Sequence, residues 1–249
     1  MNNNLISIVV PVYNAGKFIE KTIESVKNQT INNYELILVD DCSKDNSANV
    51  IEKYTNDQIK LIRLEKNKGV SNARNVGIKE SVGRYVCFLD ADDYWLPNKL
   101  ETQLNFMKEN DCVFSFTGYR FVNYDLSLTN AIVRVPKEIN YKGLLKNTTI
   151  FTSTVMFDLT KITKEEIYFP NIKSEDTGLW LRILRNGIIA KGINETLVYY
   201  RRSENTYSSN KKEAVKKMWD LYRNQEKLSL IYSIYNFIFY ALNAVRRRI

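Results

Sequence analysis

Three aspartates, Asp90, Asp92 and Asp93, come directly after the apolar segment 85–89. The β-branched and aromatic residues of that segment predict a buried strand, which would deliver the carboxylates to an exposed edge of a sheet. Carboxylates two residues apart suit Mg²⁺ or Mn²⁺, because these ions take few protein carboxylates and complete their coordination with water and substrate phosphates. An Asp-rich turn that caps the next helix explains the same residues, since Asp is favoured at both places. This stretch alone leaves both interpretations open.

The sequence contains no histidine. This excludes a Ser-His-Asp triad, a Cys-His pair, a His-ligated metal and a histidine general base. Asp, Glu, Lys, Tyr or Cys must therefore carry any acid-base chemistry. The three cysteines, Cys42, Cys87 and Cys112, are odd in number and lack metal-type spacing, which predicts a reducing compartment and no zinc site.

The chain of 249 residues is long enough for one large α/β domain or two small ones. Its net charge of +8 favours acidic partners such as phosphates, anionic lipids or nucleic acid, although charge says nothing about fold. The N-terminal residues place no basic segment before their apolar run, and Pro11 and Asn14 interrupt that run. We therefore expect no signal peptide.

Strand and helix patterns alternate along the first 90 residues. Strands are predicted over 6–12, 35–40, 59–63 and 85–90, with helices over about 17–29, 47–54 and 70–81. Such alternation predicts a parallel sheet with helices on both faces and a binding crevice at the carboxyl ends of the strands. We expect that crevice to collect segments 11–14, 40–41 and 90–93 with Lys68 and Arg74. No Gly-rich dinucleotide or Walker loop is present, which disfavours a dehydrogenase and a P-loop NTPase.

The pattern is less regular in the second half of the chain. A helix is predicted from just after Pro97 to about 110, and a strand near 112–119. Short strands and turns follow over 123–172, with a short helix near 141–146. We place the variable, substrate-binding part in 123–172. An amphipathic helix over 177–186 and a strand near 197–200 follow.

Two helices are predicted at the end of the chain, over about 211–227 and 228–245. The first is basic, with an apolar stripe that favours packing on a core. The second contains no charged residue and precedes three arginines, Arg246 to Arg248. It only just reaches the length of a membrane span, and its serines and asparagines disfavour one. Its aromatic residues favour attachment in the plane of a membrane interface, while packing on the sheet or on a second subunit is the alternative.

Five motifs stand in the order that is typical of a family 2 glycosyltransferase of the GT-A fold, and the chain resembles that family. They are VVPVYN (9–14), ELILVDDCSKD (35–45), NKGVSNARN (67–75), FLDADD (88–93) and EDTGLWLR (175–182). The match spans about 5–205 and is weak between 123 and 172. It implies an α/β fold with a Rossmann-like, mostly parallel sheet flanked by helices and a C-terminal helical appendage. The implied domains are a glycosyltransferase domain over 1–209, with a nucleotide-sugar-binding half (1–120) and an acceptor-binding half (121–209), and the helices of 210–249.

The resemblance assigns nucleotide-binding roles to the first two motifs. It implies that Pro11, Tyr13 and Asp41 hold the nucleotide base, with Asp40 beside them. A tyrosine ring can stack on a base, and a carboxylate can accept the imide N–H of uracil, so a UDP-sugar is the expected donor.

The next motifs supply the groups expected near phosphate. Lys68 and Arg74 are implied to lie near the base or phosphate, with a surface ion pair as the alternative for Arg74. Asp90, Ala91 and Asp92 match the family's Asp-x-Asp motif. The resemblance implies that Asp92 binds the metal and that Asp90 contacts the ribose or the metal's water shell. A divalent ion there would stabilise the charge that develops on the leaving diphosphate.

The last motif matches the family's catalytic base at Asp176. A carboxylate there would accept the proton of the acceptor hydroxyl on the face opposite the leaving diphosphate, which is the geometry of an inverting transfer. The alternative is that Asp176 only caps the helix that follows. Glu175 is expected to orient the acceptor or the base. Trp180 is expected either to line the acceptor pocket or to pack in the core.

One position departs from the family pattern. Many relatives carry a histidine shortly after a Tyr-Arg pair downstream of the base, whereas this chain has Tyr200-Arg201-Arg202-Ser203. Arg201 or Arg202 is the expected contact to the diphosphate instead. The departure leaves the full coordination of the metal open.

The sequence therefore predicts an inverting, metal-dependent transferase that moves a sugar from a nucleotide-sugar to a hydroxyl of a glycan or lipid-linked glycan in cell-surface polysaccharide biosynthesis. Manganese or magnesium is the expected cofactor. The expected location is the cytoplasm, at the inner face of the cell membrane through 228–249, and no nucleic-acid partner is expected. A nucleotidyltransferase and a non-catalytic carbohydrate or nucleic-acid binding module remain as alternatives. The first normally shows a Gly-rich loop after strand one, and the second leaves Asp176 without a purpose.

Overall fold

The computed structural model describes residues 4–201 and 211–246. Its first part alternates strands and helices in the predicted order: β1 (Ile6–Val12), α1 (Ile19–Lys27), β2 (Tyr34–Asp40), α2 (Ser47–Glu52), β3 (Ile59–Arg63), α3 (Val70–Glu80) and β4 (Tyr85–Phe88). Every residue of β1, β2 and β4 is buried, which is why these strands read as continuous apolar runs and not as alternating ones.

The second part adds strands and helices from a less regular sequence. They are β5 (Tyr94–Trp95), α4 (Lys99–Glu109), β6 (Phe114–Val122), β7 (Leu128–Val133), β8 (Glu138–Ile139), α5 (Tyr141–Lys146), β9 (Met156–Asp158), α6 (Glu175–Arg185) and β10 (Ala190–Arg201). Strand β10 is 12 residues long, far longer than predicted. Its first half was missed because it is polar and contains Gly192. A Cβ at that glycine would lie 2.0 Å from the carbonyl oxygen of Pro136, so only glycine permits this close approach.

The strands form a ten-stranded sheet in the order β3-β2-β1-β4-β9-β6-β10-β5, with β7 paired to β6 and β8 to β10. Strands β1, β2, β3 and β4 are mutually parallel, and β6 is parallel to β10. Strand β9 is antiparallel to both β4 and β6, so these two groups run in the same direction. The mostly parallel α/β sheet that the sequence predicted is confirmed. The proposed division at 120/121 lies inside β6.

Helices cover both faces of this sheet. One core gathers Ile8 and Val10 of β1 with Ile23 of α1 and Leu100 of α4. The other face packs Val9 and Phe88 against α3, α5 and α6. Burying one such aliphatic side chain contributes about 1.5–3 kcal/mol, so the sheet is a rigid platform for the loops at its carboxyl edge.

Two buried charged residues lie outside that edge. Glu35, at the amino end of β2, accepts hydrogen bonds from the Ser7 hydroxyl (2.6 Å) and the Val82 N–H (2.6 Å). Lys99, in α4, is fully buried with its Nζ 3.7 Å from the centre of the Trp95 ring. Burial lowers the pKa of Lys99, because the charged ammonium loses its hydration.

The C-terminal part consists of α7 (Lys211–Asp220), a π-helical turn (Leu221–Gln225) and α8 (Leu230–Arg246). Lys227, with a φ of 52°, interrupts the helical conformation between the π-helical turn and α8. Helix α8 packs on α5, where the Asn243 side chain donates to the Lys146 carbonyl (3.0 Å). Within 4–201 and 211–246, no helix combines the length and apolar character needed to cross a membrane.

Candidate active site at the carboxyl edge of the sheet

The loops after β1 and β2 are joined by hydrogen bonds into one rim. The Asn14 N–H donates to Ser43 Oγ (3.0 Å), and its side-chain oxygen accepts from the Lys44 N–H (2.8 Å). Asn14 has a φ of 50°, a left-handed conformation that asparagine tolerates. Gly16 approaches the second loop so closely that a Cβ would lie 2.0 Å from Asn46 Oδ1. Tyr13 stands on this rim with 51% of its surface exposed.

Asp40 and Asp41 lie beneath the rim and are buried. Asp41 accepts the backbone N–H groups of Lys68 (2.9 Å) and Gly69 (2.7 Å), which fixes the turn that opens α3. Asp40 accepts hydrogen bonds from the N–H and hydroxyl of Ser43. Pro11 is also buried, whereas Lys68 is exposed. The structure thus brings five predicted nucleotide-binding residues to one end of the sheet: Pro11, Tyr13, Asp40, Asp41 and Lys68. Their nucleotide-binding roles stay predictions.

The Asp90–Asp93 loop leaves β4 at the same edge. Thr22 of α1 holds it by donating to the carbonyls of Ala91 (2.9 Å) and Asp93 (2.8 Å). Asp93 is buried, and its carboxylate accepts hydrogen bonds from the Ser153 hydroxyl (2.7 Å) and the Arg201 N–H (3.1 Å). Burial and the nearby Asp92 and Asp90 charges raise the pKa of Asp93 well above its ordinary value. Burial and the Asp90 charge raise the pKa of Asp92 to about 6.

Ser153 is a functional residue that sequence reasoning missed. Its hydroxyl accepts the Asp90 N–H (3.0 Å) while donating to Asp93, and its carbonyl accepts the Trp95 indole N–H (2.8 Å). It lies in a single 3₁₀ turn (Thr152–Thr154) within the irregular region, where no local pattern marks it. Only the packing of this turn against the loop reveals that it fixes the carboxylates.

Asp90 and Asp92 are the residues that could hold a divalent ion. One oxygen of Asp90 is bound to Arg74, and Asp93 is turned inward, so the pair offers few protein ligands. Accordingly, the described part of the chain shows no cluster of three or more His, Cys, Asp or Glu side chains arranged for metal binding. Two carboxylates fit Mg²⁺ or Mn²⁺ that completes its coordination with phosphates and water. They do not fit a closed all-protein site.

Arg74 bridges the loop to helix α6. Its Nη2 lies 2.7 Å from Asp90 Oδ1 and its Nη1 lies 3.1 Å from Glu175 Oε1, while its guanidinium stacks 4.8 Å from the Phe169 ring. The side chain is only 4% exposed, so the alternative of a surface ion pair is wrong. Burial acts to lower the pKa of Arg74, but Asp90 and Glu175 outweigh it and raise it.

Asp176 occupies the second position of α6 and is half-buried. Its Oδ1 accepts hydrogen bonds from the Thr177 N–H (2.6 Å) and hydroxyl (3.2 Å). Ser174 stands at the N-cap position without a side-chain cap hydrogen bond, and Asp176 accepts an N–H of the first turn. The general-base role and the capping alternative therefore both stay predictions. Burial and the Asp176 charge raise the pKa of Glu175, its neighbour. The arrangement pairs one carboxylate with Arg74 and leaves the other beside it.

Trp180 does not line a pocket. Its side chain is fully buried, with ring centres 5.3 Å from Phe114, 5.7 Å from Phe157 and 5.8 Å from Phe169. The expectation that it contacts the acceptor is wrong, and the core alternative holds. The reason is the position of α6, whose apolar face packs on the sheet while only its first turn reaches the crevice.

Arg201 holds the Asp loop from the end of β10. Besides its N–H bond to Asp93, its Nε donates to the Asp92 carbonyl (3.0 Å), and its guanidinium lies 4.6 Å from the centre of the Phe18 ring. Arg201 is 5% exposed, so the structure shows it supporting the loop, and its expected diphosphate contact stays a prediction. Arg202 lies outside the described residues.

Comparison with known proteins shows the family to which the chain belongs. The family model described as Glycosyl transferase family 2 matches residues 7–164. This chain is a family 2 glycosyltransferase. It is 41% identical over 248 residues to the putative teichuronic acid biosynthesis glycosyltransferase TuaG of Bacillus subtilis strain 168, covering 98% of each chain. It is 38% identical over 241 residues to the Escherichia coli UDP-Glc:alpha-D-GlcNAc-diphosphoundecaprenol beta-1,3-glucosyltransferase WfgD, covering 96% of this chain and 94% of WfgD.

A solved structure supports the fold of this glycosyltransferase. S. aureus TarS 1–349 in complex with UDP-GlcNAc aligns with a TM-score of 0.69 at 21% identity, covering 96% of this chain and 71% of TarS. The GT-A fold, the family and the glycosyltransferase activity that the five motifs predicted are confirmed.

Proposed function

We propose that this glycosyltransferase moves a sugar from a UDP-sugar to a hydroxyl of a lipid-linked glycan precursor, with inversion, in the synthesis of a cell-surface polysaccharide. The observation that carries the proposal is the Arg74 bridge. One buried guanidinium binds Asp90 of the Asp-x-Asp motif and Glu175 beside Asp176. Asp90, which is assigned to the metal, and Glu175, which neighbours the assigned base, are therefore held together by one side chain. Such proximity suits a transfer between two bound substrates.

The nucleotide end of the donor is assigned to the rim formed by the first two loops. Tyr13 presents an exposed ring for stacking, and Asp41 is buried in the neighbouring loop, where its N–H donates to the Val12 carbonyl (2.8 Å). The name of WfgD specifies UDP-Glc, and TarS was solved with UDP-GlcNAc. These comparisons support uridine as the base.

Asp92 and Asp90 would hold Mn²⁺ or Mg²⁺ against the donor phosphates. When bound, such an ion supplies positive charge that stabilises the leaving nucleoside diphosphate. Asp93 stabilises the same loop, because its carboxylate accepts two hydrogen bonds that keep it turned away from the crevice.

Asp176 is assigned as the general base. It would accept the proton of the acceptor hydroxyl as that oxygen attacks the anomeric carbon from the face opposite the diphosphate. Glu175 is tied to Arg74, and both hydrogen bonds from Thr177 go to Asp176 Oδ1. Asp176 Oδ2 is therefore the oxygen that we assign to proton transfer.

The donor and metal are tested by incubating purified protein with Mn²⁺ and a panel of nucleotide sugars, and by following hydrolysis to the nucleoside diphosphate. We expect metal-dependent turnover of one UDP-sugar, loss of it in Asp92→Asn, and full retention in the exposed control Asp57→Asn. Asp176→Asn should keep UDP binding while losing transfer to acceptor. If no nucleotide binds with or without metal, the proposal fails and the binding-module alternative replaces it.

The membrane contact of the proposal is assigned to α8. Its outward face is apolar, including Ile231 (83% exposed), Ile238 (53%) and Leu242 (52%), whereas Ser233 and Asn236 are buried against the protein. Tyr232, Phe237 and Tyr240 also pack inward, so α8 presents apolar side chains both to the protein and to solvent. Ser233 and Asn236, two of the polar residues that argued against a membrane span, thus point inward.

An anionic bilayer surface is the occupant that this face fits. The sequence from 227 to 249 contains one lysine and three arginines but no Asp or Glu. Basic groups around an apolar stripe suit anionic headgroups, whereas a second copy would bring like charges together. No helix in the described ranges could span the bilayer, so attachment would be interfacial.

Flotation with vesicles tests this contact. The double variant Ile234→Asp/Ile238→Asp should lose binding to phosphatidylglycerol vesicles, while Val82→Asp, at an equally exposed apolar position elsewhere, should retain it. Undiminished flotation of the double variant would refute the bilayer assignment. If the wild type does not bind vesicles and light scattering shows a dimeric wild type but a monomeric double variant, the face is an interface with a second copy instead.

A further inference from the structure

A cavity of about 490 Å³ lies between α7 and the loop that precedes α6. Its charged lining consists of Lys173 on the loop and Glu213, Lys216, Lys217 and Asp220 on α7. We propose that this cavity binds the diphosphate of the lipid-linked acceptor. The inference rests on the proposed function, because it names a second part of the same acceptor.

The charge of the cavity favours an anion. Residues 213, 216, 217 and 220 are spaced so that they share one face of α7. The lining carries three lysines against two carboxylates, so its net charge is positive. Glu213 lies 3.8 Å from Lys173 Nζ, and Asp220 accepts from the Asn224 amide (2.6 Å). Lys173 remains 73% exposed despite its partner, and Lys216 is exposed. Lysine ammonium groups bind phosphate as point charges that adapt to its position.

The cavity lies close to the assigned base. Lys173 precedes Asp176 by three residues, and three residues of extended chain span at most about 10 Å. In an acceptor linked through its anomeric carbon to diphosphate, the attacking hydroxyl and the diphosphate are separated by one sugar ring. An acceptor hydroxyl at Asp176 would therefore place the diphosphate within reach of this cavity.

Helix α7, which forms one wall of the cavity, packs on α8. Trp219 of α7 contacts Phe237 of α8, with ring centres 6.0 Å apart. The cavity therefore lies beside the helix that we assign to the membrane, which suits an acceptor whose lipid chain is joined to its diphosphate.

The test compares two acceptors that carry the same sugar. One is GlcNAc-diphosphate-lipid, the acceptor type in the name of WfgD, and the other is GlcNAc on a neutral alkyl chain. For Lys173→Gln/Lys216→Gln we expect KM for the diphosphate acceptor to rise at least about tenfold, because two charge-assisted contacts are lost. KM for the neutral acceptor and for the donor should stay unchanged. The control Lys53→Gln/Lys137→Gln removes two exposed charges elsewhere and should match the wild type.

A second measurement separates this inference from the proposed function. Calorimetry with inorganic pyrophosphate and EDTA should show binding to the wild type and weaker binding to the cavity variant. If neither acceptor is used, the proposed function fails and pyrophosphate binding alone decides the cavity. Equal KM values for the diphosphate acceptor in the cavity variant and in the control variant would overturn the inference. If there is no turnover, it would be overturned by equal pyrophosphate binding in the wild type and the cavity variant, or by no binding in either.

Discussion

Replacing Arg74 should uncouple the two halves of the active site. In Arg74→Met the aliphatic stem is retained, but Asp90 and Glu175 lose their shared cation. Removing one partner of a buried ion pair costs about 3–5 kcal/mol, whereas exposed pairs contribute less than about 1 kcal/mol. Asp90 and Glu175 are 24% and 20% exposed, so water compensates in part. We expect the free energy of unfolding to fall by about 2–3 kcal/mol, between those limits.

The effect on catalysis should exceed the effect on folding. Without Arg74, Glu175 is free to compete with Asp176 for the acceptor proton, and Asp90 loses its orientation. We expect kcat/KM to fall at least about 100-fold, which corresponds to about 2.7 kcal/mol in transition-state stabilisation. Arg74→Lys offers one point charge in place of a fork, so it should keep part of the stability but still lose about tenfold in kcat/KM.

The pH profile distinguishes positioning from simple packing. Arg74 opposes the rise in the pKa of Glu175 that burial and Asp176 cause. Its removal should therefore raise that pKa further and move the acidic limb of the kcat/KM profile to higher pH. Urea denaturation, initial rates and pH profiles measure the three effects. Arg84→Met is the matched control, because it breaks the buried pair with Asp158 (2.7 Å) outside the crevice. Unchanged kcat/KM and an unmoved acidic limb in Arg74→Met would refute the reasoning.

Three further substitutions test the buried polar groups. Burial acts to raise the pKa of Glu35, but its hydrogen bonds lower it overall. Glu35→Gln should therefore be about 1–3 kcal/mol less stable at pH 7. Because the stability from a lowered pKa is lost as pH falls below about 4.3, that deficit should shrink in acid, as urea denaturation at both pH values would show. Lys99→Met should raise the melting temperature at pH 7. The pKa of Lys99 is lowered in the folded state, so the unfolded state binds the lysine proton more tightly and is favoured by it. The gain in melting temperature should shrink toward pH 10, where the lysine loses that proton in both states. Equal melting curves would contradict this. Ser153→Ala removes the hydroxyl between Asp90 and Asp93 and should weaken Mn²⁺ binding about 10–100-fold in a titration, whereas unchanged affinity would show that the loop is fixed without it.

The sequence by itself determined the architecture and the family. Continuous apolar runs separated by helical periodicities predicted the parallel sheet, because both faces of such strands are buried. The bounds of the third strand (Ile59–Arg63) were predicted to the residue, and a short helix was predicted near the observed Tyr141–Lys146. Five motifs in order predicted the glycosyltransferase, since four of them lie at or shortly after the ends of the first four strands and the fifth begins helix α6.

Only the tertiary structure decided which side chains work together. Arg74 meets Glu175 across 101 residues, and Ser153 meets Asp90 across 63, because α3, α6 and the 3₁₀ turn pack around one edge of the sheet. Helical periodicity alone assigned Trp180 equally to pocket or core, and packing settled it. The inward turn of Ser233 and Asn236 in α8 was likewise invisible, since a periodic pattern shows which residues share a face but not what that face contacts.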